Sequence, residues 1–383
     1  MARDLYKKTQ RLDAKLKKLK ASEDPNTGVM FRYVDHCKAR NLSDGRIYKY
    51  LVVLPRVSEM LGKPFEQATK EDIERVMAEV NRLKFSEWTR CDYRVLTKSF
   101  YKWLLGDGEE YPKCVKWLKT SPNGANGKTN EDILAEQDVI ALVESCTSVR
   151  DKAFIMLLWD SGARVGELLN VKLRDVKLEG DAMRVLLDGK TGPRRVLVVP
   201  SVPFVLRLIE HHPRKQDTES YLFLSEGARS NGQPLTYNNA RRIVAAAARR
   251  AGIRKRVHPH LMRHSRATHL AKRMTEQQMK QYFGWSGASK MAAVYVHMSG
   301  RDVDDAILKA NGVEVPEDKP VTELAQRKCL RCHAINPFGS VACGTCGMPL
   351  TPEAVEKQKR LEEALEFFAY LKQTGQLDKL VRP

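Results

Sequence analysis

No apolar run in this 383-residue chain is long enough to cross a bilayer. The longest uncharged one, Ala153–Trp159, is seven residues against the roughly 20 that a spanning helix needs. Acidic residues are in deficit: 47 Asp and Glu stand against 66 Lys and Arg, a formal charge of +19. Like charges repel in a compact state, so the surplus does not serve folding and points to a polyanionic partner. A strongly amphipathic basic anchor, the form a membrane-surface protein would take, is also missing. From Arg241 to Arg273 there is no acidic residue at all, against eleven Arg or Lys. The N-terminal residues are charged and carry no apolar stretch of a secretory signal. A disulfide framework is therefore the weaker reading of the eight cysteines, and a cytoplasmic, nucleoid-associated protein is expected. No internal repeat is visible.

What is present divides the chain. Residues 1–21 form a basic helical arm in which Leu5, Leu12, Leu16 and Leu19 recur at helical spacing. Residues 22–120 read as an all-helical domain. Asp44 is expected to open one helix, and Thr69 with Asp72 makes a capping box before Ile73, Val76 and Val80. Ser86 can cap the next helix, whose Trp88, Tyr93, Phe100 and Trp103 fit a core face. Arg90, Arg94, Lys98 and Lys102 run along another side of it, a stripe suited to phosphates. Residues 121–130, rich in Pro, Gly and Asn, form a linker. A second domain spans 131–312. Helices are expected at Ile133–Cys146, Arg150–Trp159 and Arg164–Asn170, then a hairpin of Met183–Leu187 and Arg195–Val199, then helices at 201–211, 237–251, 260–273, 275–283, 288–297 and 302–310. A cysteine cluster (325–350) and a charged helix (353–375) close the chain. The fold class is mainly α with a small antiparallel β-hairpin or sheet.

Chemistry concentrates at Arg164, Lys190, His260, Arg263, Trp285 and Tyr295. Attack on a phosphodiester needs a nucleophile in line, cations on the phosphate oxygens and a proton for the leaving oxygen. Arg164 follows the Ser161-Gly162 break and starts the next helix, a good place to hold an anion; alone, it reads equally as a surface partner of Glu167. Lys190 sits at the hairpin tip, from which an ammonium could protonate a departing oxygen, although Arg194 or Arg195 compete for that role. His260 and Arg263 share one helical face, the first suited to passing a proton and the second to binding phosphate. His264 and His269 are assigned to packing or hydrogen bonding. Tyr295 in isolation reads as a buried helix tyrosine; as a nucleophile, its phenol must lose a proton whose ordinary pKa is near 10. Trp285 could donate its indole N–H to a phosphate oxygen, or fill a core.

The tail carries Cys329-x-x-Cys332 and Cys343-x-x-Cys346 ten residues apart. Two such pairs bring four thiolates to tetrahedral reach and imply a structural zinc ribbon with no open coordination position. Leu361, Leu365, Phe368 and Leu371 lie on one side of the last helix, a docking face.

Taken together, Ser161-Gly-Ala-Arg164-Val-Gly-Glu167, His260-Leu-Met-Arg263-His264-Ser265, Gly284-Trp285 and Tyr295-Val-His297 resemble the motifs of the tyrosine recombinases, the phage-integrase and Xer group, and in particular an archaeal integrase subgroup. Trp285 stands where most bacterial members have His. The resemblance implies a helical, SAM-like core-binding domain and a catalytic domain that clamp the duplex. It also implies a site-specific recombinase of a mobile element, cutting and rejoining DNA through a 3′-phosphotyrosyl link. In that scheme Tyr295 attacks, Arg164 and Arg263 bind the phosphate, His260 assists proton transfer, Lys190 protonates the 5′ oxygen and Trp285 supports the phosphate. Catalysis needs no cofactor. The expected partners are double-stranded DNA, three further copies in a tetramer on two sites, and accessory DNA-bending proteins. A Xer-type dimer resolvase, a type IB topoisomerase and a zinc-containing DNA-binding regulator without catalysis are the competing readings.

Overall fold

A computed structural model of the chain describes residues 5, 7–106, 110–121, 133–189, 192–228, 230–271, 273–295, 307–308, 310–312 and 322–374. The chain falls into two compact units, one of residues 4–129 and the other essentially of residues 130–383. As expected, it is mainly helical with small antiparallel sheets.

The first unit contains α1 (Lys8–Lys20), α2 (Thr27–Ala39), α3 (Asp44–Leu61), α4 (Lys70–Arg82), α5 (Glu87–Leu105) and the short α6 (Lys113–Lys116). α1 packs on α3 through Leu12 and Leu19, both buried, so the basic helix shares the core of this unit. Thr69 and Asp72 form the capping box that starts α4, and the Ser86 side chain accepts from the Thr89 amide to start α5. Tyr33, Tyr50, Phe65 and Phe100 meet edge to face at the centre, the favoured geometry for aromatic pairs. Trp88 is the exception among the α5 aromatics and lies 67% exposed.

The basic stripe of α5 does not stand free for phosphates. Arg94 donates to Glu87 and to the carbonyls of Lys119 and Ser121, Lys98 to the carbonyls of Lys116 and Leu118, and Arg90 to that of Leu83. Carbonyls of a segment without its own ladder need donors. Long cations at four-residue steps supply them here, bracing residues 116–121 against the helix.

The second unit is built around α8 (Val149–Ser161), in which every residue from Ala153 to Ser161 is buried. A helix apolar on all sides belongs at the centre of a unit, and α7 (Glu136–Glu144), α10 (Val202–Glu210) and α12 (Pro259–Ala271) pack around it. After the four-residue α9 (Val165–Leu168) the chain forms an antiparallel sheet of β1 (Val176–Glu179), β2 (Ala182–Gly189) and β3 (Gly192–Val198). β1 adds to the expected hairpin. Met183 pairs with Val198, Leu187 with Arg194 and Gly189 with Gly192. The alternation is that of a half-buried sheet: Met183, Val185, Leu187, Val196 and Val198 face the core, while Leu186 and Leu197 are exposed. α11 (Tyr237–Arg250) and α13 (Glu276–Phe283) complete the unit. Of the helix expected at 288–297, residues 288–295 are instead turns and a 3₁₀ turn, Ala292–Val294, in a stretch preceded by Gly284 and Gly287, and the rest lies outside the described residues. The helix expected at 302–310 lies largely outside the described residues, as do nearly all of the linker and the Lys190–Thr191 hairpin tip.

Asp160, 1% exposed, ties these elements together. Its carboxylate accepts from the amides of Val199 and Ser201, the Ser201 hydroxyl and Arg266, and its carbonyl accepts from Tyr282. Removing one partner of a buried ion pair strands the other charge. Asp160→Ala should therefore cost about 3–5 kcal/mol of stability, read from denaturant unfolding. A loss below about 0.5 kcal/mol, the range of an unengaged surface change, would mean that these bonds do not hold the unit.

Candidate active site and metal site

The end of α8 determines where the first two arginines go. Gly162 caps α8 with φ 54, a left-handed conformation that glycine adopts without strain. A Cβ there would lie 2.3 Å from the Phe283 ring. The Gly162 carbonyl is thereby turned towards Arg263, which donates to it at 2.7 Å and to the Phe283 carbonyl at 2.6 Å. Arg263 is 3% exposed, and its guanidinium lies over the rings of Phe283 and Trp285. Both of these hydrogen-bond partners are neutral carbonyls, so its charge is not cancelled at contact distance. Burial, then the charges of Arg164 and Arg194, hold its pKa below the ordinary arginine range, with Glu167 opposing. Such a cation is poised for an anion.

Arg164 follows two residues later. Its own amide and its guanidinium both donate to Glu167, at 2.9 and 2.7 Å, and a second nitrogen reaches the Gly284 carbonyl at 3.4 Å. Its side chain is 38% exposed. α9, which it precedes, has only four residues, too short for a helix terminus to hold an anion; the guanidinium supplies the charge. Glu167, 4% exposed, shares its second oxygen with Arg194 at 2.7 Å. Desolvation would raise the Glu167 pKa, but the bonds from Arg194 and Arg164 outweigh it and the pKa is lowered.

The expected nucleophile comes to the same cluster from the far side. Phe283, Trp285 and Tyr295 form a stack, with centroids 5.0 Å apart for the first pair and 5.7 Å for the second, at interplanar angles of 18° and 5°. Trp285 thus lies between two rings and presents its face, which also receives Arg263. The Tyr295 hydroxyl is hydrogen-bonded to Nδ1 of His264. His260 is exposed and stands edge-on against His264, with centroids 4.3 Å apart. The side chain that touches the phenol is thus the one expected to be structural. His269 does pack, with Nε2 against the Leu134 carbonyl and its ring edge-on to Trp159. Burial raises the Tyr295 pKa to about 12, with the charge of Arg263 pulling the other way.

Arg164, Arg263, Trp285 and Tyr295 therefore converge, His260 joins through His264, and Lys190 lies outside the described residues between Gly189 and Gly192. Sequence reasoning missed the roles of His264, Glu167 and Arg194. Glu167 was visible as a partner of Arg164 at three-residue spacing, and Arg194 only as a rival to Lys190. Nothing in the local pattern told His264 from an ordinary packing histidine.

A second candidate site lies in the tail, where β4 (Arg327–Lys328) pairs with β5 (Ile335–Asn336). The sulfurs of Cys329, Cys332, Cys343 and Cys346 all lie within 4.8 Å of one another, with Cys329–Cys346 at 3.6 Å and Cys332–Cys343 at 3.5 Å. These separations are too long for a disulfide and close to the ~3.8 Å edge of a tetrahedron with ~2.3 Å zinc–sulfur bonds. His333 and Gly347, each following the second cysteine of its pair, are left-handed at φ 57 and 72. The two knuckles therefore turn alike. The amides of Cys346 and Thr345 lower the Cys343 pKa to about 6. The cluster is anchored by Phe338 against Phe204 and by Lys328 on Asp181. On the following α14 (Pro352–Gln373), Leu361, Leu365 and Phe368 are exposed, while Leu371 is buried.

Comparison with known proteins agrees with this geometry. Residues 131–301 match the model of the phage integrase family. Tyrosine recombinase XerA of Pyrococcus furiosus is 31% identical over 189 residues, 49% of this chain and 64% of the relative, so the chain spans slightly less than two thirds of that relative. The Pyrococcus horikoshii XerA is 25% identical over 290 residues, 76% of this chain and 95% of the relative. Among solved structures, the Tn1549 transposon integrase in complex with transposon right end DNA superposes with a TM-score of 0.58 at 17% identity, covering 74% of this chain and 99% of that one. XerH bound to palindromic difH substrate gives 0.55 at 18% identity, covering 81% and 98%; at such identities these two likenesses concern the fold. Over residues 131–301 the chain is thus similar to the phage integrase family, and the relatives it matches are tyrosine recombinases.

Proposed function

We propose that this chain is a site-specific DNA recombinase, an integrase that cuts and rejoins double-stranded DNA through a 3′-phosphotyrosyl intermediate. One observation carries the reading most directly. A phenol bonded to an imidazole lies at the edge of a cluster of guanidinium groups with a single carboxylate among them. In the reaction, the Tyr295 oxygen attacks phosphorus while its proton passes to Nδ1 of His264. The bond from phosphorus to the 5′ oxygen breaks, and Lys190 supplies the proton that oxygen needs. Arg164 and Arg263 stabilise the extra negative charge on the non-bridging oxygens. His260, edge-on to His264, carries the proton towards solvent. Trp285 backs the tyrosine ring and, through its face, Arg263. Because the phosphodiester energy stays in the phosphotyrosine, rejoining is the same sequence reversed, with a 5′ hydroxyl as nucleophile and His264 returning the proton. No cofactor is needed for these steps.

The relatives that match the chain, Xer tyrosine recombinases, favour one second reading: a resolvase of chromosome or plasmid dimers. Both readings use the same chemistry, DNA as partner and an assembly of four protomers on two sites. DNA complexes of the Tn1549 integrase and XerH support the choice of partner. Zinc held by Cys329, Cys332, Cys343 and Cys346 would shape the tail and take no part in strand exchange.

The test is to incubate the chain with nicked duplexes of varied sequence, recover denaturant-resistant adducts and sequence the trapped junctions. The wild type should yield one enriched site. Tyr295→Phe should bind that site and form no adduct; an adduct in that variant would move the nucleophile elsewhere. His264→Ala should slow cleavage about 100-fold, within the usual range for a lost proton acceptor. With the Tyr295 pKa raised to about 12, only the minor phenolate can then react. The residual rate should climb roughly tenfold per pH unit from neutrality upward, and a flat profile would remove His264 from the proton path.

For the tail, metal analysis should find one zinc per chain. Cys343→Ser should abolish it and leave residues 325–350 open to protease while the Asp160-centred unit stays folded. A chain that keeps that segment protected without metal would refute the zinc assignment.

A further inference from the structure

Arg194 has no role in the reaction as derived above, yet its side chain is 9% exposed and it sits inside the cluster. It donates Nη2 to Glu167 at 2.7 Å and Nε to the Tyr282 carbonyl at 3.0 Å. Its Nη1 is buried without a hydrogen-bond partner, a costly state for a charged donor. Two glycines make room for the arrangement. A Cβ on Gly284 would lie 2.9 Å from Arg194 Nη1, and one on Gly189 would lie 2.4 Å from Glu167 Oε1. The β2–β3 hairpin therefore closes over Glu167 from both strands, with Gly189 on one side and Arg194 on the other, and Lys190 in the chain between them.

We infer that Arg194 is a positioning residue for strand cleavage: by occupying one oxygen of Glu167 it keeps the Arg164 guanidinium half free for phosphate, and it pins the hairpin that carries Lys190 onto the same carboxylate. The inference rests on the recombinase reading. A carboxylate and a guanidinium left alone favour a two-pronged pair. Here Glu167 gives Oε1 to Arg164 Nη1 and Oε2 to Arg194 Nη2 and to the Arg164 amide. Arg164 Nη2 is left only a 3.4 Å contact with the Gly284 carbonyl. Without Arg194, Glu167 would close on both prongs of Arg164 and neutralise the charge that the transition state requires. The same loss would free the hairpin from residues 282–284.

The experiment uses the full chain and a nicked duplex bearing the sequence recovered from wild-type adducts. Arg194→Ala should bind it within about threefold of wild type and cleave it about 100-fold more slowly, the scale of a lost transition-state contact. Arg194→Lys, which keeps the charge but can satisfy Glu167 and Tyr282 only in part, should recover much of the rate. On a duplex whose scissile phosphate carries a methyl group in place of one non-bridging oxygen, less cationic stabilisation is needed. The gap between Arg194→Ala and wild type should narrow to under about tenfold, and a gap that stays at 100-fold would mark a merely structural role. Adding Arg194→Ala to Glu167→Gln should slow cleavage no further. Independent, multiplying losses would show that Arg194 acts without Glu167 and would overturn the inference, as would wild-type cleavage by Arg194→Ala. Should Arg194→Ala fail to fold, Arg194→Lys and the Glu167→Gln pair carry the same comparison. Absence of any adduct with the wild type would instead defeat the recombinase reading itself.

Discussion

One carboxylate among three guanidinium groups is the constraint on which the second unit turns. Glu167 is buried, and Arg164 and Arg194 contact it while Arg263 lies close enough to feel its charge. With one negative charge against three positive, the cluster cannot neutralise itself. Burying unpaired cations costs far more than any fold gains from them, so the surrounding structure must hold them by other means. Backbone carbonyls do much of this: Gly162 and Phe283 for Arg263, Tyr282 for Arg194, Gly284 for Arg164. Three of those four carbonyls come from one short stretch at the end of α13, which explains why Phe283 is fully buried and why glycines stand at 162 and 284.

The same economy explains why the cluster was only partly legible in the sequence. Arg164, Arg263, Trp285 and Tyr295 could be named because each sits in a short local pattern whose chemistry stands out from its neighbours. The caps at Thr69 and Ser86, the hairpin at 183–199 and the buried helix around Ala153–Trp159 were readable for a similar reason: a cap, a glycine-rich joint or an all-apolar run is a local signal. What failed depended on partners distant in sequence. Arg90, Arg94 and Lys98 have the spacing of a phosphate-facing stripe, but residues 116–121 return to Arg94 and Lys98 and take their donors, while Arg90 donates to the Leu83 carbonyl. Arg194 and Glu167 lie 27 residues apart, and no periodicity links a strand residue to one on α9. His264 was set aside because one helical face was assigned to His260 and Arg263, whereas the loop after Gly284 brings Tyr295 against the adjacent position.

The tail illustrates the opposite case. Its apolar content is too small to define a core, so geometry falls to the four sulfurs and to two left-handed residues that follow them, His333 and Gly347. Spacing alone brings out the cluster because the four cysteines lie close together in sequence. Phe338 and Lys328 then fasten the cluster to Phe204 and Asp181, contacts that no motif announces. The tail is in this sense part of the second unit's surface.

The placement of Tyr295 follows from the electrostatics of the cluster. An exposed phenol beside several uncancelled guanidinium groups would ionise more readily. Stacking on Trp285 and partial burial oppose this, and burial is the larger effect, so the hydroxyl stays protonated. Its bond to His264 keeps a proton acceptor at the oxygen throughout. The stack also places the aromatic faces of Trp285 and Phe283 beneath Arg263, so the ring system that restrains the tyrosine helps to hold that charge. Restraint of the phenol and retention of the cation are therefore one piece of packing, and a change that loosens Trp285 would be felt by both Tyr295 and Arg263.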